Sequence, residues 1–421
     1  MSISVSATSA RTFRSLQRHR NYRLFFAGQV VSLSGTWIQN VAQAWFVLTL
    51  THSAIAVGIL AAFQFGPYAV LGLFGGALAD RHDLRRLAIG TQSAFALSAL
   101  SLAILVLSGH AAVWEVFVLA AVNGTVMVLD TPVRQAFTIQ MVGRKELPNA
   151  IALNSSLFNA SRAIGPAVGG VLIAVAGVGL CFLINALSFL AVIAALLAMR
   201  PRELFAVGRA SRSETLLRGV RDGVRYAWHQ PSIRTVLLMM LVISTIGINF
   251  NVLLPLLASR TLHSGPQVYG LLAATFGAGA LLGALVSASL SAASTRALLI
   301  GAFAFSVGEL VLAPLHVIWA VALVLAAAGF AFSLYSSQSN AALQLTVPDR
   351  LRGRVLSLYG YVFFGTAPLG GLLAGWLAEV GGTPLAFVVA GGVGLATVAS
   401  GTLEMRRRHL GAGSEAVPSP A

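Results

Sequence analysis

Gly76-Ala77-Leu78-Ala79-Asp80-Arg81-His82-Asp83-Leu84-Arg85-Arg86 closes a run, from Leu24, that holds no Asp, Glu, Lys or Arg. Five of the seven residues from Asp80 to Arg86 then carry charge. A charge knot between two long apolar stretches reads as a water-exposed turn joining two membrane spans, because hydrocarbon offers ions no partner. Gly76 would let the helix end pack closely. Asp80 and the arginines are set to pair with neighbouring helix ends or lipid phosphates. Asp83 tolerates a left-handed turn better than most residues.

Composition points the same way. Hydrophobic residues make up 57% of the chain and charged residues 10%, at a mean hydropathy of +0.82; a soluble domain carries about 25% charged residues. The chain therefore reads as a multi-pass membrane protein. Its net charge of +15 would suggest nucleic acid in a soluble chain, but the charges lie between apolar blocks, so no nucleic-acid partner is expected. One cysteine, Cys181, excludes an internal disulfide and a cysteine-cluster metal site. The single lysine, Lys145, has no glycine before it and Glu146 after it, which excludes a phosphate-binding G-x-x-x-x-G-K-[ST] loop. No clustered His/Asp/Glu constellation points to an enzyme, and no cofactor or metal is expected.

Residues 1–23 form an arginine-bearing tail without the features of a signal peptide. Six apolar blocks follow, at about 24–79, 87–129, 147–199, 235–295, 297–348 and 355–403. Each has room for two spans of about 20 residues and a turn. The expected architecture is all-α: twelve transmembrane helices, both chain ends on one side, in six-helix bundles over 24–200 and 233–405. The linker is 201–232 and the final tail 406–421. With the first tail cytoplasmic, only Arg162 and Arg260 of the 28 basic residues fall outside cytoplasmic segments. That asymmetry sets the orientation.

The halves echo each other. Arg23 with Gly35 answers to Arg234 with Gly247, and Gly58, Ala61 and Ala62 answer to Gly270, Ala273 and Ala274. Duplicated bundles place a substrate site between the halves near the bilayer midplane. In the linker, Ser211 and Glu214 read as a capping box. Leu216, Leu217, Val220, Val224, Ala227 and Trp228 follow at helical spacing, opposite Arg218, Arg221, Asp222 and Arg225. This is the pattern of an amphipathic helix at the inner membrane surface, and Pro231 ends it.

A charge at bilayer depth costs at least about 2.5–3.5 kcal/mol, so each one needs a reason. Asp130 and Arg134 lie one turn apart, either as a local ion pair or as a gate exchanging partners with Asp80 and Arg81. Arg162, about 21 Å along its helix at 1.5 Å per residue, must meet a carboxylate, a helix end, water or an anionic substrate group. Gly165-Pro166-Ala-Val-Gly169-Gly170 suits a hinge or a tight helix seam. Glu309 is a further carboxylate well inside a span, either a proton relay or a locally paired side chain. Glu115 and Glu379 stand at outer helix ends and read as solvated; His52, His110, His263 and His316 read as surface residues. Polar stripes sketch a cavity: Gln29, Ser32, Thr36, Asn40 and Gln43; Ser333, Ser337, Asn340 and Gln344; and Gln64, Asn159, Asn249 and Asn251. With Trp45, Phe46, Phe63 and Tyr335 nearby, an amphiphilic organic solute fits better than a small inorganic ion.

The opening stretch resembles the loop after the second transmembrane helix of the major facilitator superfamily, G-x-x-x-D-R-x-G-R-R. Gly76, Asp80, Arg81 and Arg85 match, while Asp83 and Leu84 stand in place of Gly and Arg. Gly165-Pro166-x-x-Gly169-Gly170 is similar to the fifth-helix signature of that superfamily's proton-linked exporters. Asn21-Tyr-Arg-Leu-Phe-Phe-Ala-Gly-Gln29, Gly35-Thr-Trp-Ile-Gln39, Asn159-Ala-Ser-Arg-Ala-Ile-Gly-Pro166 and Asn185-Ala-Leu-Ser-Phe189 resemble the branch containing enterobactin exporters and macrolide-efflux-type proteins. The resemblance implies a monomeric bacterial inner-membrane exporter of an amphiphilic small molecule, driven by the proton gradient through alternating access. Asp80, Arg81, Arg85, Asp130 and Arg134 would form the inner gate, and Arg162, Asp130 and Glu309 would couple protons or substrate. An importer on the same scaffold and a non-transporting membrane receptor or scaffold stay open at this point.

Overall fold

A computed structural model describes residues 13–79, 82–206, 216–290 and 293–414. Asp80, Arg81, Ser211 and Glu214 lie outside the described residues. The described part is helical throughout, with no strand. In order come α1 (Arg14–Arg18), α2 (Arg20–Thr51), α3 (Ala54–Ala79), α4 (Leu84–Leu107) and α5 (Val113–Leu197). Then follow α6 (Leu216–His229), α7 (Pro231–Ile246), α8 (Phe250–Leu256), α9 (Pro266–Ser289), α10 (Thr295–Leu312), α11 (Ile318–Thr346), α12 (Asp349–Gly365) and α13 (Ala367–Ser414).

Glycines set where the long elements turn. Gly143 at φ 70° and Gly177 at φ 79° divide α5 into three arms, and Gly382 at φ 72° divides α13 into two. A side chain is strained in that left-handed region. Pro231 and Pro266 open α7 and α9 at the first turn, where a missing N–H costs nothing. Asp83 takes another role than a left-handed turn. At φ −68° it caps α4, its carboxylate accepting the Arg86 N–H at 2.8 Å.

Eight stretches of the described residues are long and apolar enough to cross a membrane, among them parts of α3, α5, α9 and α11. Large apolar side chains stand outward, such as Val175 at 82% exposed and Trp319 at 75%. An outward apolar surface with every backbone bond closed inside helices is what a bilayer demands. The chain is an integral membrane protein that passes the bilayer several times.

α6 forms where the linker pattern places a helix, and it seats on α12. Gly223 and Ala227 are buried, Gly223 against Arg354 of α12, and Asp222 pairs with Arg354 at 3.3 Å. Val224 and Trp228 stand exposed beside Arg221 and Arg225. The two small residues let α6 lie close to α12.

Candidate functional site

Helices from before and after α6 meet along two antiparallel seams. In the first, the second arm of α5 lies against α9. A Cβ added at Gly270 would lie 2.8 Å from Gly170 Cα, with Pro166 O closer still, and one at Gly277 would lie 2.7 Å from Arg162 O. In the second, α3 lies against α13: a Cβ added at Gly58 would lie 2.6 Å from Gly371 O, and one at Gly375 would lie 2.8 Å from Ala54 O. Gly170 thus belongs to a seam, whereas Gly165 and Gly169 receive Trp37 and Ile38 of α2. Farther along, α3 meets α12 through side chains: Tyr361 donates to Ala69 O, and Tyr68 packs edge-on against Phe364. A Cβ at Gly66 or Gly76 of α3, or at Gly353 or Gly360 of α12, would meet nothing within 4 Å. The close approach expected at Gly76 falls one residue earlier, at Gly75, which faces Val128 O.

An ionic clamp lies beside the closed ends. Arg260, in the π-helical turn Leu257–Thr261, pairs with Glu379 at 3.2 Å and donates to His52 O at 2.5 Å. Glu379 also accepts the Ala54 N–H at 2.6 Å. His52 holds a left-handed φ of 52° at the end of α2 and offers its carbonyl rather than its ring. The sequence reading left Glu379 solvated; instead it caps α3. The available signal was charge economy, since Arg260 and Glu379 are opposite charges among otherwise nearly chargeless turns.

The arginine-rich end is held by polar contacts among the helices before α6. Asp130 is 3% exposed. Thr91 Oγ1 and Gln92 Nε2 donate to its Oδ1 at 2.8 and 2.9 Å. Arg134 Nε lies 2.8 Å from Oδ2, a charge pair without the alignment of a hydrogen bond. Arg134 also donates to Gln29 of α2 at 3.4 Å. Asp130 therefore joins α2, α4 and the first arm of α5. Among the described residues Arg85 meets no carboxylate; it donates to Leu196 O at 2.8 Å and Leu197 O at 3.2 Å, the carbonyl end of α5. Glu146 is flanked by Arg14 at 3.0 Å and Arg18 at 3.1 Å, which ties α1 to the start of the second arm.

Asn40, Gln43, Gln64 and Asn251 line one small cavity of about 20 Å³, with Gln64 donating to Asn40 at 3.3 Å. Ser337 lines a second, open crevice of about 1070 Å³ between α9 and α11. Other stripe residues are consumed locally. Asn159 donates to Ser155 O at 2.9 Å, and Asn340 accepts from Gln344. Asn249 donates to Thr245 O and Ile246 O at 2.8 and 3.0 Å, repairing the interruption between α7 and α8. Arg162 lies across the first seam, its guanidinium 5.2 Å from the Phe276 ring centre. Phe276 belongs to a phenyl cluster with Phe250 and Phe332. Glu309 is 1% exposed, its Oε1 has no hydrogen-bond partner, and it faces Gly247 rather than either cavity. Amides and small apolar side chains thus line the first cavity, while Arg162 and Phe276 stand together at the first seam.

The sequence profile of a family described as transmembrane secretion effector matches residues 11–418. The multidrug efflux pump Tap of Mycolicibacterium fortuitum is 29% identical, over 84% of this chain and 88% of that protein. The staphyloferrin A transporter of Staphylococcus aureus is 27% identical, over 88% and 92%. Among solved structures, a bacterial homologue of the human lysosomal transporter Spinster, inward-facing and occupied, superposes with a TM-score of 0.73. That match has 14% identity and covers 92% of this chain and 97% of the other.

Proposed function

We propose that this chain, which belongs to the transmembrane secretion effector family of the major facilitator superfamily, exports amphiphilic small molecules across a bacterial inner membrane in exchange for protons. One observation carries the alternating-access part: helices before and after α6 approach backbone to backbone at Gly170–Gly270 and Gly58–Gly371, whereas farther along α3 and α12 meet through the side chains of Tyr361, Tyr68 and Phe364. Two bodies joined in that way rock about the closed end, and a cavity between them faces one side at a time.

In this reading the glycine turns of α5 and α13, with α7 and α8 as one rod and α12 continuing into α13, give twelve spans in two six-helix bundles, 24–200 and 233–405. The arginine-rich ends lie in the cytoplasm with both termini, the open side faces inward, and the protein works as a monomer without a cofactor. Asp80, Arg81, Arg85, Asp130 and Arg134 serve the inner gate, and the Arg260–Glu379 clamp is the outer one. Arg162 and the amides hold the solute, while Asp130, Arg162 and Glu309 are the candidates for coupling. The printed names of the relatives, a multidrug pump and a siderophore transporter, support a solute of that kind.

Everted vesicles test the reading. Carboxyfluorescein and ethidium serve as anionic and cationic probes, each with the lumen made acidic or left neutral. Accumulation of either probe that depends on the acidic lumen supports proton-driven export. Accumulation in right-side-out vesicles alone would favour the importer. No movement of these or any further amphiphile in either orientation would leave the scaffold or receptor role.

A further inference from the structure

Glu309 sits outside both cavities, and nothing in the substrate path uses it directly. It lies in α10, is 1% exposed, and leaves Oε1 without a partner. Among the described residues an ionised carboxylate in such a place would lack a compensating charge, and burying one unpaired is costly. The charged or titratable side chains on the elements around it lie elsewhere. On the α7–α8 rod, Arg234 pairs with Glu404 of α13 at 3.9 Å, and Arg260 is held by Glu379. On α11, Tyr335 packs with its backbone against Gly301, two turns toward the start of α10. At the level of Glu309 the packing partners are small, Ala328 of α11 against Gly308 and Gly391 of α13 against Ser306.

The carboxyl occupies the notch left by a missing side chain at Gly247. A Cβ there would lie 3.2 Å from Glu309 Oε1 and 2.9 Å from Phe305. Gly247 is also where the rod breaks. α7 ends at Ile246, α8 begins at Phe250, and Asn249 N donates back to Gly247 O at 3.0 Å. Asn249 satisfies the carbonyls freed by the break, and its Oδ1 lies 2.8 Å from the Cβ position of Gly370. The next residue, Gly371, faces Ala61 and Gly58 in the closed seam, where a Cβ added at 371 would lie 2.8 Å from Ala61 Cβ. A continuous line of contacts therefore runs from the buried acid, through the interruption, to the seam between α3 and α13.

We propose that Glu309 is a proton-binding site whose occupancy sets the break at 247–249 and, through Asn249 and Gly370, favours the closed outer seam. Protonated, the acid fits the dry notch and the break persists. Releasing the proton to water leaves a carboxylate that must gain donors, and the nearest it can recruit are the backbone N–H groups of the rod as 247–249 reseats. Reseating withdraws Asn249 from Gly370 and loosens the seam. The inference rests on the alternating-access reading and names the device by which a proton acts within it.

Spin labels at His110→Cys and His316→Cys, both exposed in turns on opposite halves, report the outer distance; Cys181 is buried and stays unlabelled. In nanodiscs without solute, the native background is expected to lengthen this distance as pH rises. Glu309→Gln, which mimics the protonated acid, should hold the short distance at every pH, and Glu309→Asp should respond with a displaced midpoint. Infrared spectra should show a protonated-carboxyl band that Glu309→Gln removes. Proton-driven export in everted vesicles should fall at least tenfold in Glu309→Gln. A Glu309→Gln protein that tracks pH like the native one overturns the inference, as does a native distance that ignores pH. If vesicles fail to export while the infrared and distance responses hold, the export reading falls and the Glu309 device stands.

Discussion

Arg260 and Glu379 pair at 3.2 Å, and each also grips the backbone of the turn between α2 and α3, at His52 O and Ala54 N. Both side chains are 35% exposed, so the ion pair alone is worth only about 0–1 kcal/mol. Its value lies in tying one end of the rod to the opposite half. Glu379→Gln keeps an acceptor for Ala54 but loses the charge. A loss of about 1 kcal/mol shifts the closed-to-open ratio about fivefold. Labelling of Asn40→Cys by an impermeant maleimide from the outside should rise by that factor, and unchanged labelling would remove the clamp from the outer gate.

Gly270→Ala tests the other seam. Its new methyl meets Pro166 O and Gly170 Cα, neither of which is a flexible side-chain tip. Overpacking of this kind costs about 1–3 kcal/mol. Export should drop at least tenfold while the protein still inserts and purifies. Gly76→Ala, where the methyl meets nothing, should stay within about twofold of the native rate.

Asp130 is surrounded by donors, so removing its partner strands it. Arg134→Ala should lower stability by roughly 1–3 kcal/mol, below the 3–5 of a fully buried pair because Arg134 is 34% exposed. Asp130→Ala combined with Arg134→Ala should cost less than Arg134→Ala alone. Thermal melts in detergent decide this. A double-variant loss equal to the sum of the Asp130→Ala and Arg134→Ala losses would mean the two side chains are not coupled.

Arg162 should distinguish probes by charge. Arg162→Gln is expected to cut carboxyfluorescein export about tenfold and ethidium export by less than threefold. Phe276→Leu should cost the anionic probe a few-fold, because the ring holds the guanidinium by about 1 kcal/mol. Equal loss of both probes would assign Arg162 to coupling or structure instead.

His19, between α1 and α2, gives a pH dependence outside the spans. Burial lowers its pKa, against an opposing pull from Glu146, and Arg18 lowers it further. A base with a depressed folded-state pKa binds protons more readily when unfolded. Stability is therefore full above the ordinary histidine value and falls as pH drops through it toward the folded-state value. Melting temperature should decline between about pH 7.5 and 5.5, and decline less in His19→Gln. An identical decline in both would place the titrating group elsewhere.

Periodic features could be read along the chain. Apolar blocks and their charge punctuation marked membrane spans because each depends on composition over about 20 residues. The linker helix was legible for a similar reason, but its seat on α12, through Gly223 and Asp222 against Arg354, was not. Among the polar stripes, Asn40, Gln43, Gln64 and Asn251 share one cavity. Asn249 and Asn159 looked the same in sequence and proved to serve their own helices.

Membrane residence and the bias of positive charge toward one end were local matters, decided by which side chains hydrocarbon will accept. Folding alone brought Arg260 to Glu379 and Gly58 to Gly371, set Gly247 under Glu309, and left Gly76 touching nothing. Those pairings depend on where helices distant in the sequence come to lie. Only packed volume and hydrogen-bond geometry decide that, and neither leaves a periodic mark on the chain.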